Sequence, residues 1–391
     1  MRKKDYPIII DMSTIVSELS MDEKDHKQVI DIIEFTEEDD EKIYELQKIV
    51  YPNHPVYSDR EKSLKFWRWW FREPLWKKSR VFGVNGKDCI AGVRPLSFMP
   101  MILSGKEELC GVLNATVTHP DYRKQGIFSA SLNYVLDVAK REEGVRFLIS
   151  FPNELSYPLH LKNNRMAVLC DLPLYIKVFS PKAFFKGKLF LPDAGTQTIL
   201  NMFQRTKRRA FPEGYIIKVK ETEVFDNRFD RLWERAVNNH KIQVQRTAQY
   251  LRWRYGQSPL GPYTVLIAEK GTSGELAGYV IAKMESRFGI KMGLILDLLM
   301  LPEEIPAASA MVGKCLALLE ERGADAAGCL MLRHQSEISC LQDNGMWYLP
   351  HWLSPKKFHV TMAALSPEKT FNDFILDVNN WYLTWGDTDN V

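Results

Sequence analysis

Apolar and polar positions alternate in two blocks of the chain, and the two blocks run through the same succession of periods. In the first, EFTEEDDEKIYELQKIVY places Thr36 to cap a helix with an acidic first turn, then sets Ile43, Leu46 and Val50 on one face. SDREKSLKFWRWWFREP predicts a second helix that stops before Pro74. RVFGVNGKDCIAGVRPLSFMPMIL predicts a hairpin turning at Asn85-Gly86, and CGVLNATVTHP another strand. IFSASLNYVLDVAKREEG predicts a helix with Gly144 as its C-cap, and VRFLISFPN a short buried strand.

The second block repeats that order. DNRFDRLWERAVNNHK reads as a helix, and RTAQYLRWRYGQSP answers the earlier FWRWWFREP, again aromatic and arginine-rich and ending at a proline, Pro259. YTVLIAEKGTSGELAGYVIAKM predicts a hairpin around Gly271 and Gly274. GIKMGLILDLLMLP predicts a strand, AASAMVGKCLALLEERG a helix ending at Gly323, and AAGCLMLR a strand. Two units of one layout predict a tandem duplication of an α/β fold with mixed sheets. The expected units are 33–180 and 215–365, joined by 181–214, with an N-terminal extension over 1–32 and a C-terminal segment over 366–391. The extension holds one strand-like run, Pro7 to Ile10.

A chain of 391 residues with 45% hydrophobic and 26% charged residues fits two soluble globular units. A net charge of +3 gives no electrostatic case for nucleic-acid binding. The six cysteines form no CxxC pair and no metal-ligand spacing, which predicts a reducing compartment and no metal site. No apolar run approaches the length of a membrane span, and the polar start has no signal-peptide core, so the expected location is cytoplasmic. Lys207, Arg208 and Arg209 form a basic run in the connecting stretch. It reads as the solvated face of a linker helix, or as a contact to an anionic substrate or membrane surface.

One stretch carries chemistry. HPDYRKQGIFSA, residues 119 to 130, joins a strand ending at Thr118 to a helix starting near Gly126 or Ile127. The first amides of a helix are unpaired and its dipole is positive at that end. Gly126 removes the side chain that would block a phosphate, and Arg123 and Lys124 add charge. Phe128 stands where a phosphate loop often has a second glycine, but its side chain can turn into the sheet and leave the amide to bind.

This stretch resembles motif A of the GNAT superfamily of acyl-CoA N-acyltransferases, with Pro120, Tyr122, Arg123, Gly126, Ile127 and Phe128 in register. The resemblance covers roughly residues 33 to 180, and the second block by layout alone. It implies that the amides of Gln125, Gly126, Ile127, Phe128 and Ser129, with Arg123 and Lys124, hold the pyrophosphate of coenzyme A. Strands 108–118 and 145–151 are expected to splay around pantetheine, which pairs with the backbone at Thr116 and Thr118, where an amide also meets the thioester oxyanion. Asn153 corresponds to an asparagine that contacts the cofactor arm. The family's acid, a tyrosine some seven residues further on, is replaced by His160, with Tyr157 as the reserve candidate. Asn164 replaces a family glycine. Glu154 is nearby, but no base is assigned.

Where the second block should have this loop it reads LPEEIPA, whose Glu303 and Glu304 repel a pyrophosphate. That unit is expected to be degenerate and to complete the acceptor cleft or stabilise the first. Asp297 and His334 face the cleft or are structural. In the aromatic helix, Trp67, Trp69 and Trp70 pack in the core or line a pocket, and Arg68 and Arg72 are candidates for an anionic acceptor. The activity implied is transfer of an acyl group, acetyl first, from coenzyme A to a small primary amine such as an amino sugar. The alternatives are a FemAB-like peptidyltransferase using aminoacyl-tRNA and a non-catalytic acyl-CoA-binding protein.

Overall fold

A computed structural model describes residues 30–180, 212–287, 289–354 and 356–388. The strand-like run at Pro7 and the basic run at Lys207 lie outside them. The first helices form as the pattern predicts. Thr36 caps a short turn in a capping box with Asp39, and α1 (Asp40–Val50) buries Ile43 and Leu46. The Asp59 side chain accepts from Lys62 N at the start of α2 (Arg60–Trp67), which widens into a π-helical turn over Arg68–Arg72.

Two mixed sheets follow. The first has the order β1 (Ile33–Glu34), β2 (Arg80–Asn85), β3 (Ile90–Leu103), β4 (Lys106–Leu113), β6 (Phe147–Ser150), β16 (His359–Ala364) and β7 (Ala167–Asp171); β5 (Val117–Thr118) and β10 (Ile242–Val244) also pair with β3. The second runs β15 (Trp347–Leu349), β8 (Leu174–Val178), β14 (Ala326–Leu330), β13 (Ile290–Met300), β12 (Leu276–Arg287), β11 (Thr264–Lys270) and β9 (Tyr215–Lys220). In each sheet one parallel pair, β4 with β6 and β13 with β14, sits among antiparallel neighbours. The long helices after each loop are α3 (Ile127–Arg141) and α7 (Ile305–Glu321). Shorter ones are α4 (Tyr157–Leu161), α5 (Asn227–Ala236), α6 (Ala248–Leu251), α8 (Ile338–Asp343) and α9 (Lys369–Leu376).

The two halves exchange strands. β16, from the C-terminal half, lies between β6 and β7 of the first sheet, and β8, from the N-terminal half, lies between β14 and β15 of the second. Both are interior strands, so both faces are covered: Val360, Thr361, Met362 and Ala363 are fully buried, as are Leu174, Tyr175 and Ile176. The sheets therefore cut across the boundary at 180 and 215 read from the sequence. The aromatic helices meet where the halves join. Trp69 stacks on Trp253 with ring centroids 4.8 Å apart, and its Nε1 donates to the Trp253 carbonyl at 3.2 Å. Arg252–Gly256 forms a second π-helical turn matching Arg68–Arg72. Trp67 and Trp69 are buried and Trp70 half-buried, so this helix is core. Arg72 is buried against Asp40 at 2.7 Å, while Arg68 is exposed.

Candidate active site

β4 and β6 pair in parallel from Gly111 and Leu148 to Leu113 and Ser150 and no further. The Ser150 hydroxyl donates to the Leu113 carbonyl at 2.9 Å, closing the last rung. Beyond it the expected continuous strand breaks. Ala115 takes a φ of +49°, a costly conformation for a side chain with a Cβ, and the chain rejoins β3 only as β5, with Val117 opposite Val93 and Thr118 opposite Gly92. The two parallel strands thus part around Asn114–Thr116 on one side and Phe151–Asn153 on the other, and a cleft of about 720 Å³ opens between them.

The basic loop follows directly. His119 Nδ1 accepts from Asp121 N at 3.3 Å over a short 3-10 turn, and the Tyr122 hydroxyl accepts from Lys87 N at 2.9 Å. Gly126 then takes a φ of +82° as the N-cap of α3. The dihedral requires glycine here, since a Cβ would meet nothing nearer than Ile30 at 3.5 Å. The first α-helical bond runs from Ala130 N to the Gly126 carbonyl at 3.0 Å, so the earlier amides have no partner within the helix. Arg123, Lys124, Gln125, Gly126 and Ser129 are exposed, Ile127 is buried and Phe128 half-buried. Gln125 Nε2 donates to the Asp121 carbonyl at 3.0 Å, which uses its side chain as a brace within the loop.

Behind both segments lies Arg94, which the sequence reading missed. It is 0% exposed. Its Nε donates to Ser131 Oγ at 3.0 Å, Nη1 to Thr116 Oγ1 at 3.3 Å and Nη2 to the Phe128 carbonyl at 3.2 Å, with the guanidinium 4.3 Å from the Phe128 ring centroid. It ties the break in β4 to the first turn of α3. These three partners are neutral, and burial lowers its pKa to about 9. The signal available was a single charge at the middle of an apolar strand, IAGVRPLSF.

His160 and Tyr157 part company. His160 is buried at the cleft, its Nδ1 2.9 Å from Thr361 Oγ1 on the exchanged strand β16 and its ring 5.6 Å from that of Phe128. Burial, with help from the Arg94 charge, lowers its pKa to about 4. Tyr157 instead stacks on His359 at 3.6 Å and is not among the cleft-lining residues. Asn153 lines the cleft but its Oδ1 accepts from Leu155 N and Ser156 N, capping the turn into α4. Thr116 lines the cleft; Thr118 sits in the β5 pairing.

Across from the strand gap the wall comes from elsewhere. Tyr51, His54 and Tyr57 form an aromatic ledge, with His54 and Tyr57 stacked at 4.6 Å, beside Lys62. β12 of the second half supplies Lys283, Glu285 and Arg287, and Lys356 approaches from the chain before β16. Among the described residues no group of metal-ligating side chains is brought together, and no helix is long and apolar enough to cross a membrane.

Residues 31–159 match the family model of the acetyltransferase (GNAT) domain. About a third of the chain thus carries a GNAT-type acetyltransferase domain. Its fold is similar to that of a probable N-acyltransferase from Enterococcus faecalis V583, with 13% identity over 86% of this chain and 73% of that one and a TM-score of 0.57. It is also similar to Saccharomyces cerevisiae N-myristoyltransferase with bound myristoyl-CoA, with 10% identity over 86% and 79% of the two chains and a TM-score of 0.55. No curated protein matches the chain in sequence. The GNAT domain is of the acyl-CoA-dependent N-acyltransferase type, and its matched region contains the parted strands, the Gly126 loop and most of α4.

The second GNAT-like unit parts its strands in the same way, at Ile295 and Cys329, but fills the gap. Thr384 bridges to Met331, the Tyr382 hydroxyl donates to the Leu298 carbonyl, and Arg254 donates to the carbonyls of Gly386 and Thr388 at 3.1 and 3.0 Å. Asp297 is buried in this plug, with Arg246 Nε at 3.1 Å and Asp387 2.9 Å from the same guanidinium. His334 Nε2 lies 3.0 Å from the Trp381 carbonyl. Both are structural. At the start of α7, Glu304 pairs with Lys270 at 2.7 Å and Glu303 with Arg235 at 3.2 Å, so carboxylates stand where the first unit offers amides.

Proposed function

We propose that this protein transfers an acyl group of acetyl size from coenzyme A to a small primary amine, an amino sugar being the expected kind, in the cleft below the parted strands β4 and β6. The observation that carries the reading is the pairing of that gap with a glycine-opened helix start one loop away, the two tied together by Arg94. The amides of Gly126 to Ser129, which have no partner within the helix, suit the pyrophosphate together with Arg123 and Lys124, and the backbone at Asn114–Thr116 suits the pantetheine arm and the thioester oxygen.

The amine nitrogen attacks the thioester carbon, the C–S bond breaks, the nitrogen gives up a proton and the departing sulfur takes one. His160 is neutral at pH 7, given a pKa of about 4. Such a ring offers one N–H and one lone pair, so, with Nδ1 held at the Thr361 hydroxyl, it can take the proton that the attacking nitrogen gives up and return one to the departing sulfur rather than act as a stored imidazolium. Tyr157 has no part in this scheme. Titration calorimetry with acetyl-CoA should give one site per chain; two equivalent sites, or none, would overturn the reading.

A further inference from the structure

The cleft has a second chemical character, set by its far wall. Its lining holds four cationic side chains, Lys62, Lys283, Arg287 and Lys356, against one carboxylate, Glu285. That carboxylate is already engaged on its own strand. Lys283 Nζ lies 3.0 Å from Oε2, and Arg287 Nε donates to Oε1 at 3.0 Å. Burial alone would raise the Glu285 pKa, but the Arg287 and Lys283 charges hold it below the usual carboxylate range, so it stays ionised and keeps both cations in place.

These cations are not placed for the donor's phosphates. From Arg123 to Ser129, only Phe128 reaches the cleft lining. The positive side chains line the cleft from elements other than those that form the strand gap, so they are left for an acceptor if the donor occupies the gap. A polyamine would meet like charge there, and low-dielectric walls make that repulsion larger than in water.

We infer that the acceptor is an acidic amine, a small molecule carrying the nucleophilic nitrogen and, a few bonds away, a carboxylate or phosphate held by Lys283, Arg287, Lys62 and Lys356. The inference rests on the acyltransfer reading for the word acceptor, and its test is a binding measurement made without donor. Calorimetry would compare glucosamine 6-phosphate and 2-amino-2-deoxygluconate with glucosamine and putrescine. At least one acidic amine should bind at least about tenfold more tightly than glucosamine, equivalent to about 1.4 kcal/mol, and putrescine should bind most weakly. The phosphate and carboxylate arms show which anion the wall prefers.

Arg287→Gln should erase that preference while acetyl-CoA affinity changes less than about twofold. Because Arg287 is also stacked near Trp385, Lys62→Gln at the cleft rim serves as the variant that leaves the packing alone. It should weaken the acidic probe several-fold. Equal binding of neutral and acidic amines, or preference for putrescine, overturns the inference. So does loss of acetyl-CoA affinity in these variants with the amine preference intact. Release of free thiol from acetyl-CoA, assayed separately, tests the acyltransfer reading by itself.

Discussion

The two parted strand pairs of this molecule begin alike and end differently. β4 and β6 separate at Leu113 and Ser150 and leave a cleft, whereas β13 and β14 separate at Ile295 and Cys329 and close over residues 382–388. The helix starts differ in the same sense: Gly126 opens α3 with amides that have no partner within the helix, and Glu304 precedes α7 with a carboxylate paired to Lys270. One fold thus carries two different wedges, set apart by what fills the gap and by what charge meets the helix end.

The sharpest way to break this contrast is Gly126→Glu, which gives the first helix start the charge of the second. Donor binding should be abolished, at the cost of about 1–2 kcal/mol for a Cβ at positive φ. Calorimetry and circular dichroism check it; an unchanged affinity would mean that the loop is only a turn. Next in size is His160→Ala. It should lower kcat by about two to four orders of magnitude, the usual worth of a positioned proton-transfer group, with acetyl-CoA affinity nearly kept. Tyr157→Phe should be mild.

The pH profile sharpens that assignment. With a folded pKa of about 4, His160 should contribute no limb to kcat near pH 6.5. Its stability effect has a definite sign. The unfolded ring binds its proton more readily than the folded one, so stability is full above pH 6.5 and falls as pH drops towards 4, by up to about 3 kcal/mol. Urea titrations across that window should show a smaller loss in His160→Asn.

The smallest expected effect on activity comes from the filled wedge. Asp387→Asn removes one of two carboxylates on the fully buried Arg246. It should destabilise the protein by about 3 kcal/mol in urea and leave kcat unchanged below the transition. A large drop in kcat with little change in stability would show that the second wedge takes part in the reaction.

The local features were legible. Thr36 and Gly126 punctuate the chain by dihedral and capping rules that act over a few residues, and the structure follows them; Gly144 takes its positive φ two residues past Glu142, which caps α3 in its place. The Arg123-to-Phe128 register points to the helix start at which the acyl donor is proposed to bind. Partner choice was not legible. LYIKV and HVTMAA read as buried strands, but nothing in a period-two pattern says which sheet will receive them. Arg94 was hidden because its partners, Thr116, Ser131 and Phe128, are distant in sequence and carry no charge to signal them. The cation wall was hidden because it assembles from α2, β12 and the chain before β16.

The exchange of β8 and β16 has a consequence for what this protein can be divided into. Neither half contains all the strands of its own sheet. Severed between residues 180 and 212, each piece would have a slot two strand edges wide, and only the other piece carries the ribbon that fits it. The Thr361 hydroxyl beside His160 crosses over with that ribbon. Splitting the chain would thus separate the imidazole from its partner before it separated any donor from any acceptor, so the two halves form one indivisible working part.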